Sequence, residues 1–200
     1  MVYSPSFPKY WAVAACACLC VSACNPITLG VGAGATVGAA ATEDRGVGGV
    51  YSDTKIRSQI NYRWLQGASI LMDRVDLSVQ DGQVLLTGVV ESDELKNKAA
   101  DLIQDVPGIT RIINDIQVGV PQNFADYSRD AWITTKLKTN LLLDKEVLSR
   151  NYSVRTVGQV VYLMGTAKDS AELARVIDHA SSIAGVKRVV NYTAQKSFEE

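Results

Sequence analysis

The residues of this chain whose type and spacing best suit chemistry are its four cysteines. They all lie close to the amino terminus, at Cys16, Cys18, Cys20 and Cys24. Thiolates at such short intervals are suited to binding a metal ion or forming a disulfide. These four, however, interrupt an apolar run over residues 11–23 that follows Lys9, and this order is typical of a secretory signal peptide. We therefore predict that the sequence beyond Cys24 holds no disulfide, no metal site and no cofactor.

The end of the apolar run, Val21-Ser22-Ala23-Cys24, resembles the bacterial lipobox, which consists of an aliphatic residue, two small residues and a cysteine. The resemblance implies that residues 1–23 form a lipoprotein signal peptide and that Cys24 becomes the acylated first residue, carrying palmitate or a similar chain. Each buried methylene of such a chain contributes about 0.8 kcal/mol, so several chains make a lasting membrane anchor. By resemblance to sorted lipoproteins, Asn25 in the next position implies the outer membrane, with the protein on its periplasmic side.

Residues 24–50 are predicted to be the acylated cysteine followed by a flexible tether, because they are rich in glycine, alanine, valine and threonine. An uncleaved transmembrane anchor continuing to Ala41 is the alternative, but Asn25-Pro26 interrupts it. Four glycines also weaken helix formation there, at Gly30, Gly32, Gly34 and Gly38. The apolar part of the tether keeps two interpretations, contact with the membrane or packing on a domain.

His179 is the only histidine, which leaves no histidine cluster for a metal ion and no Cys–His pair in the mature chain. It falls in a predicted helix over Ser170–Ile183, off the apolar stripe, and we predict a solvated surface histidine. Asp178 cannot complete a catalytic triad with it, because neighbouring side chains of a helix point about 100° apart. Gly82-Gln83-Val84 likewise lacks the Lys-Ser/Thr ending of a phosphate-binding loop. These residues predict a protein without enzymatic activity.

The charge of the chain argues against a nucleic-acid partner, since the formal net charge is −1 at pH 7. The charges are nevertheless unevenly distributed. Residues 50–122 carry 7 Lys and Arg against 10 Asp and Glu, whereas residues 123–200 carry 11 against 9. The second half is mildly basic, which indicates that it is the half that approaches an anionic surface.

The second half of the globular region repeats the first at a constant offset: Gly88, Gly108 and Asn114 recur as Gly165, Gly185 and Asn191. The segment Gly82–Gly88 recurs as Gly158–Gly165, one residue longer. Such self-similarity indicates one folding unit of roughly 70 residues that is used twice. It also provides an internal control, because positions that match are predicted to be architecture and positions that differ can carry function.

Each copy shows the same order of predicted elements, helix–strand–strand–helix–strand, which predicts an α+β fold. The elements of the first copy are Asp53–Gln66, Val75–Val79, Val84–Val90, a helix starting at Ser92 and ended by Pro107-Gly108, and Ile109–Val118. Those of the second are Ser128–Leu142, Tyr152–Thr156, Val160–Thr166, Ser170–Ile183 and Val186–Ala194. We predict two tandem small domains, 51–120 and 127–196, joined by a linker at 121–126. Each domain is expected to have a three-stranded mixed sheet with two helices on one face.

The glycine pattern carries a family resemblance. The Gly-Gln-Val-x-Leu-x-Gly segment Gly82–Gly88, followed by a helix and the Gly-Ile-x-x-Ile-x-Asn segment Gly108–Asn114, is similar to the BON domain. Two such copies behind a lipobox, the second opening with the Trp-Ile-Thr-Thr-Lys-Leu segment Trp132–Leu137, resemble the dual-BON-domain outer-membrane lipoproteins of Gram-negative bacteria. This resemblance implies a non-enzymatic protein that binds anionic phospholipid, keeps the outer membrane intact and acts at division sites.

One face of the first helix distinguishes the second copy from the first. Its residues recur at i, i+4, i+7 and i+11, apart from the inward face, and are Trp132, Lys136, Thr139 and Leu143. Their counterparts in the first copy are mostly polar: Lys55, Gln59, Tyr62 and Gln66. A tryptophan beside cations suits the surface of an anionic bilayer, where the indole lies among the headgroups. We therefore predict a phospholipid-binding site made of Arg129, Trp132, Lys136, Lys138, Thr139 and Leu143.

Two other interpretations of this face stay open at the level of sequence. Trp132 can instead pack against the first copy or the tether, as an aromatic residue of a domain interface. The face can also dock a protein partner, such as a cell-wall or division factor, in which case the chain is an interaction scaffold. Burial of Trp132 between the copies would favour the first of these alternatives.

Overall fold

The computed structural model describes residues 46–195. The chain divides between Thr36 and Val37, and every described residue belongs to the second of the two units. The predicted signal peptide, Cys24 and the tether up to residue 45 lie outside the described residues. Within residues 46–195, no helix has both the length and the apolar character needed to span a membrane.

The first copy of the repeat is a sheet with helices on one of its faces. Its helices are α1 (Gly46–Gly67), α2 (Leu71–Arg74) and α3 (Asp93–Asp101). Its strands are β1 (Val75–Gln80), β2 (Gln83–Val90), β3 (Arg111–Asn114) and β4 (Gln117–Val118). The central strand β2 is antiparallel to β1 and parallel to β3 and β4, so the predicted mixed sheet is confirmed.

The first copy departs from the predicted elements in four main places, of which one is that α3 ends at Asp101, several residues before the predicted end at Pro107-Gly108. Helix α1 begins at Gly46, seven residues before the predicted start at Asp53. The one-turn helix α2 was not predicted. The last strand is divided into β3 and β4, and at the break the side-chain oxygen of Asn114 accepts a hydrogen bond from the Ile116 N–H (3.3 Å).

The second copy repeats the arrangement with an undivided last strand. Its helices are α4 (Phe124–Leu143) and α5 (Ser170–Ser181), with a 3₁₀ turn at Ser149–Asn151. Its strands are β5 (Tyr152–Val157), β6 (Val160–Ala167) and β7 (Arg188–Gln195), and β6 is antiparallel to β5 and parallel to β7. The chain is therefore a tandem α+β protein, as predicted.

Helices α1 and α4 bury the apolar faces that the sequence predicts. Ile56, Ile60 and Trp64 of α1 are at most 3% exposed and pack on one face of the first sheet. Ile133, Leu137 and Leu141 of α4 are at most 1% exposed and pack on the second sheet in the same way. The inward faces of both helices are confirmed.

The opposite faces of the two sheets pack against each other and form a third core. Alternation along β2 directs Leu86 to the helices and Leu85 to the other copy. The buried members of this third core are Leu85, Ile113, Val157, Tyr162 and Met164. Hydrogen bonds also join the copies, from Gln117 to the Tyr162 hydroxyl (3.3 Å) and from the Tyr192 hydroxyl to Asp115 (2.6 Å). Each sheet is therefore covered by helices on one side and by the other copy on the other.

A buried aspartate on the first helix of each copy fixes the turn of the β-hairpin. The carboxylate of Asp53 accepts the two backbone N–H groups of residues 81–82, both at 3.0 Å. The carboxylate of Asp130 accepts those of residues 158–159, at 2.7 and 2.8 Å. The two aspartates are related by the same offset as Gly88 and Gly165, so the repeat itself contains this signal, which was not among the predicted features.

The one-residue difference between the segments Gly82–Gly88 and Gly158–Gly165 arises within the two hairpin turns. Both hairpins have a two-residue turn, Asp81-Gly82 in one and Gly158-Gln159 in the other, and all four residues have φ between 51° and 74°. A turn of this kind needs positive φ at both central positions, and glycine can occupy either of them. The glycine is the second residue of the first turn and the first residue of the second turn. The stretch from this glycine to the next one is therefore one residue longer in the second copy.

Candidate functional site

Helix α4 carries the predicted binding face, and a side-chain cap sets where it starts. The side chain of Asn123 accepts the Asp126 N–H at 3.0 Å, so the helix begins at Phe124. This start lies four residues before the predicted one, inside the segment predicted to be a linker. The extra turn places Phe124 on the helix surface, where its side chain is 85% exposed.

The structure leaves the predicted stripe of α4 open to solvent. Trp132 is 53% exposed, and Lys136, Thr139 and Leu143 are exposed as well. Trp132 is therefore not buried between the two copies of the fold. We call the surface formed by Phe124, Trp132, Lys136, Thr139, Leu142 and Leu143 the Trp132 face.

The apolar part of the Trp132 face is larger than the sequence analysis predicted. Phe124 and Leu142 (73% exposed) were not included in the prediction, although helical spacing of about 100° per residue places both about 80° from Trp132 on the same side. The basic residues Arg129 and Lys136 lie on the opposite side of Trp132, at about 60° and 40°. The face thus has an apolar edge and a basic edge with the indole between them.

The polar residues of the predicted site differ in how far their side chains already form hydrogen bonds or ion pairs within the protein. Arg129 pairs with Asp126 at 3.4 Å, and the amide of Gln159, in the orientation that satisfies its partners, accepts a second bond from Arg129 at 3.1 Å. The hydroxyl of Thr139 donates to the Thr135 carbonyl at 2.9 Å, so its methyl group is what the surface presents. Lys136 forms no ion pair within the described part of the chain, which makes it the cation of this face best placed for an anion.

Lys138 does not lie on the same side of α4 as Trp132. It lies about 120° around the helix from the indole, on the side that faces β5. Lys138 is exposed to solvent as a whole, but partial burial of its ammonium lowers its pKa, and the charge of Arg155 on β5 lowers it further. The structure therefore assigns Lys138 to different surroundings from those of the other predicted residues.

The first copy shares only the end of this surface. Leu65 of α1 is the counterpart of Leu142 and is 60% exposed, and Tyr62 is the exposed counterpart of Thr139. The counterparts of Trp132 and Leu143 are Lys55 and Gln66, which are polar. An apolar helix end is therefore common to both copies, whereas the indole beside a lysine belongs to the second copy alone.

A hydrogen-bonded histidine holds the end of α4, which corrects the prediction of a solvated His179. Its Nε2 lies 2.7 Å from Oδ2 of Asp144, the residue that follows the helix, and its side chain is 29% exposed. Arg175 approaches the same oxygen at 3.8 Å, and the Glu146 N–H donates to the other oxygen at 2.9 Å. No local pattern in the sequence indicates this contact, because 35 residues separate the two partners.

The Asp144 cluster predicts a loss of stability in acid. The hydrogen bond to His179, then the Glu146 N–H and the charge of Arg175, hold the pKa of the Asp144 carboxyl below its ordinary value. A depressed carboxyl pKa contributes stability above about pH 4, the unfolded value, and this contribution is lost as the pH falls through the folded value. We expect the free energy of unfolding from urea titrations to fall less between pH 6 and pH 3 in Asp144→Asn than in the wild type. Parallel pH profiles for the two proteins would contradict this assignment.

Residues 46–195 offer little support for a metal site or for a site built on buried carboxylates. No group of three or more histidine, cysteine, aspartate or glutamate side chains is placed there to hold a metal ion. The buried carboxylates Asp130 and Glu172 both accept backbone N–H groups, Asp130 at the hairpin turn and Glu172 from Leu148 and Lys168. Their role is therefore to hold loops in place.

A family model described as the BON domain matches the chain twice, over residues 52–120 and 129–196. Three relatives also match most of the chain. The outer membrane lipoprotein DolP of Haemophilus influenzae is 30% identical over 161 residues, which are 80% of this chain and 83% of the relative. The 21 kDa hemolysin of Actinobacillus pleuropneumoniae is 28% identical over 75% of this chain and 79% of its own length. Osmotically-inducible protein Y of Escherichia coli is 28% identical over 72% of this chain and 73% of its own length.

Proposed function

This chain belongs to the BON domain family, with two BON domains in tandem, and from that premise we propose that it is a non-enzymatic lipoprotein of the outer membrane. Acylated Cys24 anchors it on the periplasmic side. The second BON domain binds anionic phospholipid through α4, and this binding supports outer-membrane integrity, including at division sites. The relative that is named an outer membrane lipoprotein supports the location, and the lipobox-like residues 21–24 support the anchor.

The exposed indole of Trp132 is the observation that carries the lipid proposal. An indole left 53% exposed on a helix, with Leu142 on one side and Lys136 on the other, matches the amphipathic surroundings of the headgroup region. Phe124 and Leu142 extend the apolar surface that enters between the lipids. Lys136 then lies where it meets headgroup phosphates.

The expected affinity of this face is modest, and the anchor compensates for that. Each cation near an anionic leaflet contributes about 1 kcal/mol, so Lys136 and the partly paired Arg129 give weak, reversible binding. A protein already held to the membrane by acyl chains meets the lipid surface at a high effective concentration. Weak binding by the Trp132 face is then sufficient for the protein to respond to the local lipid composition.

Vesicle sedimentation tests the proposed function directly. Residues 37–200 comprise the whole second unit of the chain, and the three described cores lie between residues 56 and 192, so this fragment keeps the fold without the anchor. We expect it to sediment with vesicles rich in phosphatidylglycerol and not with phosphatidylcholine vesicles. The bound fraction should fall as salt rises, because the Debye length shortens from about 10 Å at 0.1 M to about 3 Å at 1 M.

Two results of this experiment would contradict the proposed binding of anionic lipid. Equal binding to both kinds of vesicle would remove the preference for anionic lipid. Binding to neither would favour the alternative in which the Trp132 face docks a cell-wall or division protein, since an exposed aromatic patch with a basic edge also suits a protein interface.

A further inference from the structure

The edge strands of the two BON domains, β1 and β5, approach each other through polar side chains at the seam between the domains. The hydroxyls of Ser78 and Ser153 are 3.3 Å apart, and the side chain of Gln80 donates to the Asn151 carbonyl at 3.0 Å. The order of these two pairs shows that β1 and β5 have opposite directions where they meet. The same register places Asp76 of β1 opposite Arg155 of β5, with Leu77 as the next residue along β1.

Three cations from three different elements lie along this seam, with Arg155 close enough for its charge to act on both Arg57 and Lys138. Arg57 of α1 donates from Nη1 to the Leu77 carbonyl at 2.6 Å, which fixes its guanidinium at the β1 edge. Arg155 is on β5 and lines one groove together with Thr134 and Thr135 of α4. Lys138 is one helical turn beyond Thr134 on the same side of α4.

The charges at the seam repel one another. Burial and then the charge of Arg155 lower the pKa of Arg57, and the same two causes lower the pKa of Lys138. The Nε of Arg155 is buried and has no hydrogen-bond partner among the described residues. Across residues 46–195, moreover, none of the three cations forms an ion pair with a carboxylate. A buried donor without a partner is costly, so an anionic acceptor at the seam would stabilise the fold.

The carboxylates near the seam are engaged elsewhere, with one exception. Asp53 raises the pKa of Arg57, but its two oxygens accept the N–H groups of the first hairpin turn. Asp130 does the same at the second turn. A groove of roughly 200 Å³ runs beside Arg155 and is also lined by Asp76, which is exposed to solvent. Asp76 alone does not balance three cations.

We propose that Arg57, Lys138 and Arg155 form a binding site for a phosphate group at the seam between the two BON domains. A phosphate has enough acceptor oxygens to meet two guanidinium groups and an ammonium at once, and guanidinium groups bind it in bidentate geometry. The site is distinct from the Trp132 face, since Lys138 points about 120° away from the indole. It joins α1 of the first domain to α4 and β5 of the second, so its occupation stabilises the contact between the domains.

Thermal unfolding in the presence of phosphate tests this site. Residues 37–200 are titrated with inorganic phosphate and with glycerophosphoglycerol, the headgroup of phosphatidylglycerol without its chains, at constant ionic strength set with chloride. A ligand that binds only the folded state raises Tm with its concentration. Tm is expected to rise in the wild type with at least one of the two compounds. A rise with inorganic phosphate alone identifies a free phosphate as the ligand, and a rise with the diester identifies a lipid headgroup.

Matched substitutions separate the seam from the Trp132 face. Arg155→Gln and Arg57→Gln should weaken phosphate binding by at least about tenfold, since each removes charged hydrogen bonds. The control Lys136→Gln removes a cation from the other side of α4 and should keep the phosphate response. Trp132→Glu should likewise keep it even where vesicle binding is lost, so failure of this proposal and failure of the proposed function are distinguishable. Absence of a Tm rise with both compounds, or an equal rise in Arg155→Gln and the wild type, would overturn the seam site.

Discussion

Alanine at Gly165 is expected to unfold the second BON domain, with a fall of about 3 kcal/mol or more in the free energy of unfolding. Gly165 lies in the central strand β6 with φ at 151°, a backbone conformation that a residue with a Cβ rarely adopts. A Cβ at this position would lie 2.1 Å from the Asn151 carbonyl oxygen, which belongs to the backbone and cannot move aside cheaply. Gly88 has the same surroundings in the first domain, with φ at 136° and the Arg74 oxygen at 2.1 Å, so Gly88→Ala should be equally damaging.

Gly119→Ala provides the matched control for this prediction. Its added Cβ would meet nothing closer than a Val89 methyl at 3.9 Å, and Gly119 is exposed. Urea unfolding followed by circular dichroism should therefore place Gly119→Ala within about 0.5 kcal/mol of the wild type. A Gly165→Ala protein as stable as the Gly119→Ala control would show that the close approach of β5 and β6 is not a requirement of the fold.

Glutamate at Trp132 is expected to weaken binding to anionic vesicles by about tenfold or more. The substitution removes the aromatic surface that enters the headgroup region, and it places a negative charge, worth about 1 kcal/mol of repulsion, next to an anionic leaflet. Removal of the indole's burial adds a further loss of comparable or larger size, and about 1.4 kcal/mol corresponds to a factor of ten. Because Trp132 is half-exposed, the stability of the fold should change little.

Tyr62→Glu is the matched control for the Trp132 substitution. Tyr62 is an aromatic residue of the first BON domain, 61% exposed on the equivalent helix α1. Vesicle sedimentation should give wild-type binding for Tyr62→Glu and strongly reduced binding for Trp132→Glu. Equal losses in both variants would mean that any added negative charge weakens binding and that the Trp132 face has no special role.

The sequence predicted the fold well wherever the information was local or repeated. The inward faces of α1 and α4 follow from apolar residues at helical spacing, with Ile60 and Leu137 at equivalent positions of the repeat. The start of α4 was predicted too late, although Asn123 three residues before Asp126 is a recognisable capping signal. Asp53 and Asp130 could likewise have been found from the constant offset between the copies.

What the sequence could not provide were contacts between distant elements that the repeat does not duplicate. The apolar run Val84–Leu86 indicates a strand buried on both faces, but nothing in it identifies the other BON domain as the cover of the second face. The contact between His179 and Asp144 joins a helix to a loop in one copy only. Arg57 and Arg155 belong to different domains and have Thr134 and Ser78 as counterparts, so comparison of the copies does not reveal that they meet.

Fluorescence of Trp132 on vesicles is the most direct measurement of the central claim, that α4 meets the membrane through this residue. Residues 37–200 contain two tryptophans, and the other, Trp64, is 1% exposed with its indole N–H bonded to the Ala99 carbonyl at 3.0 Å. Lipids brominated near the headgroup should quench Trp132 in phosphatidylglycerol vesicles and leave the Trp64 signal of Trp132→Phe unchanged. Protein that sediments with these vesicles while its Trp132 emission is unquenched would contradict the account, because another surface would then be binding the lipid.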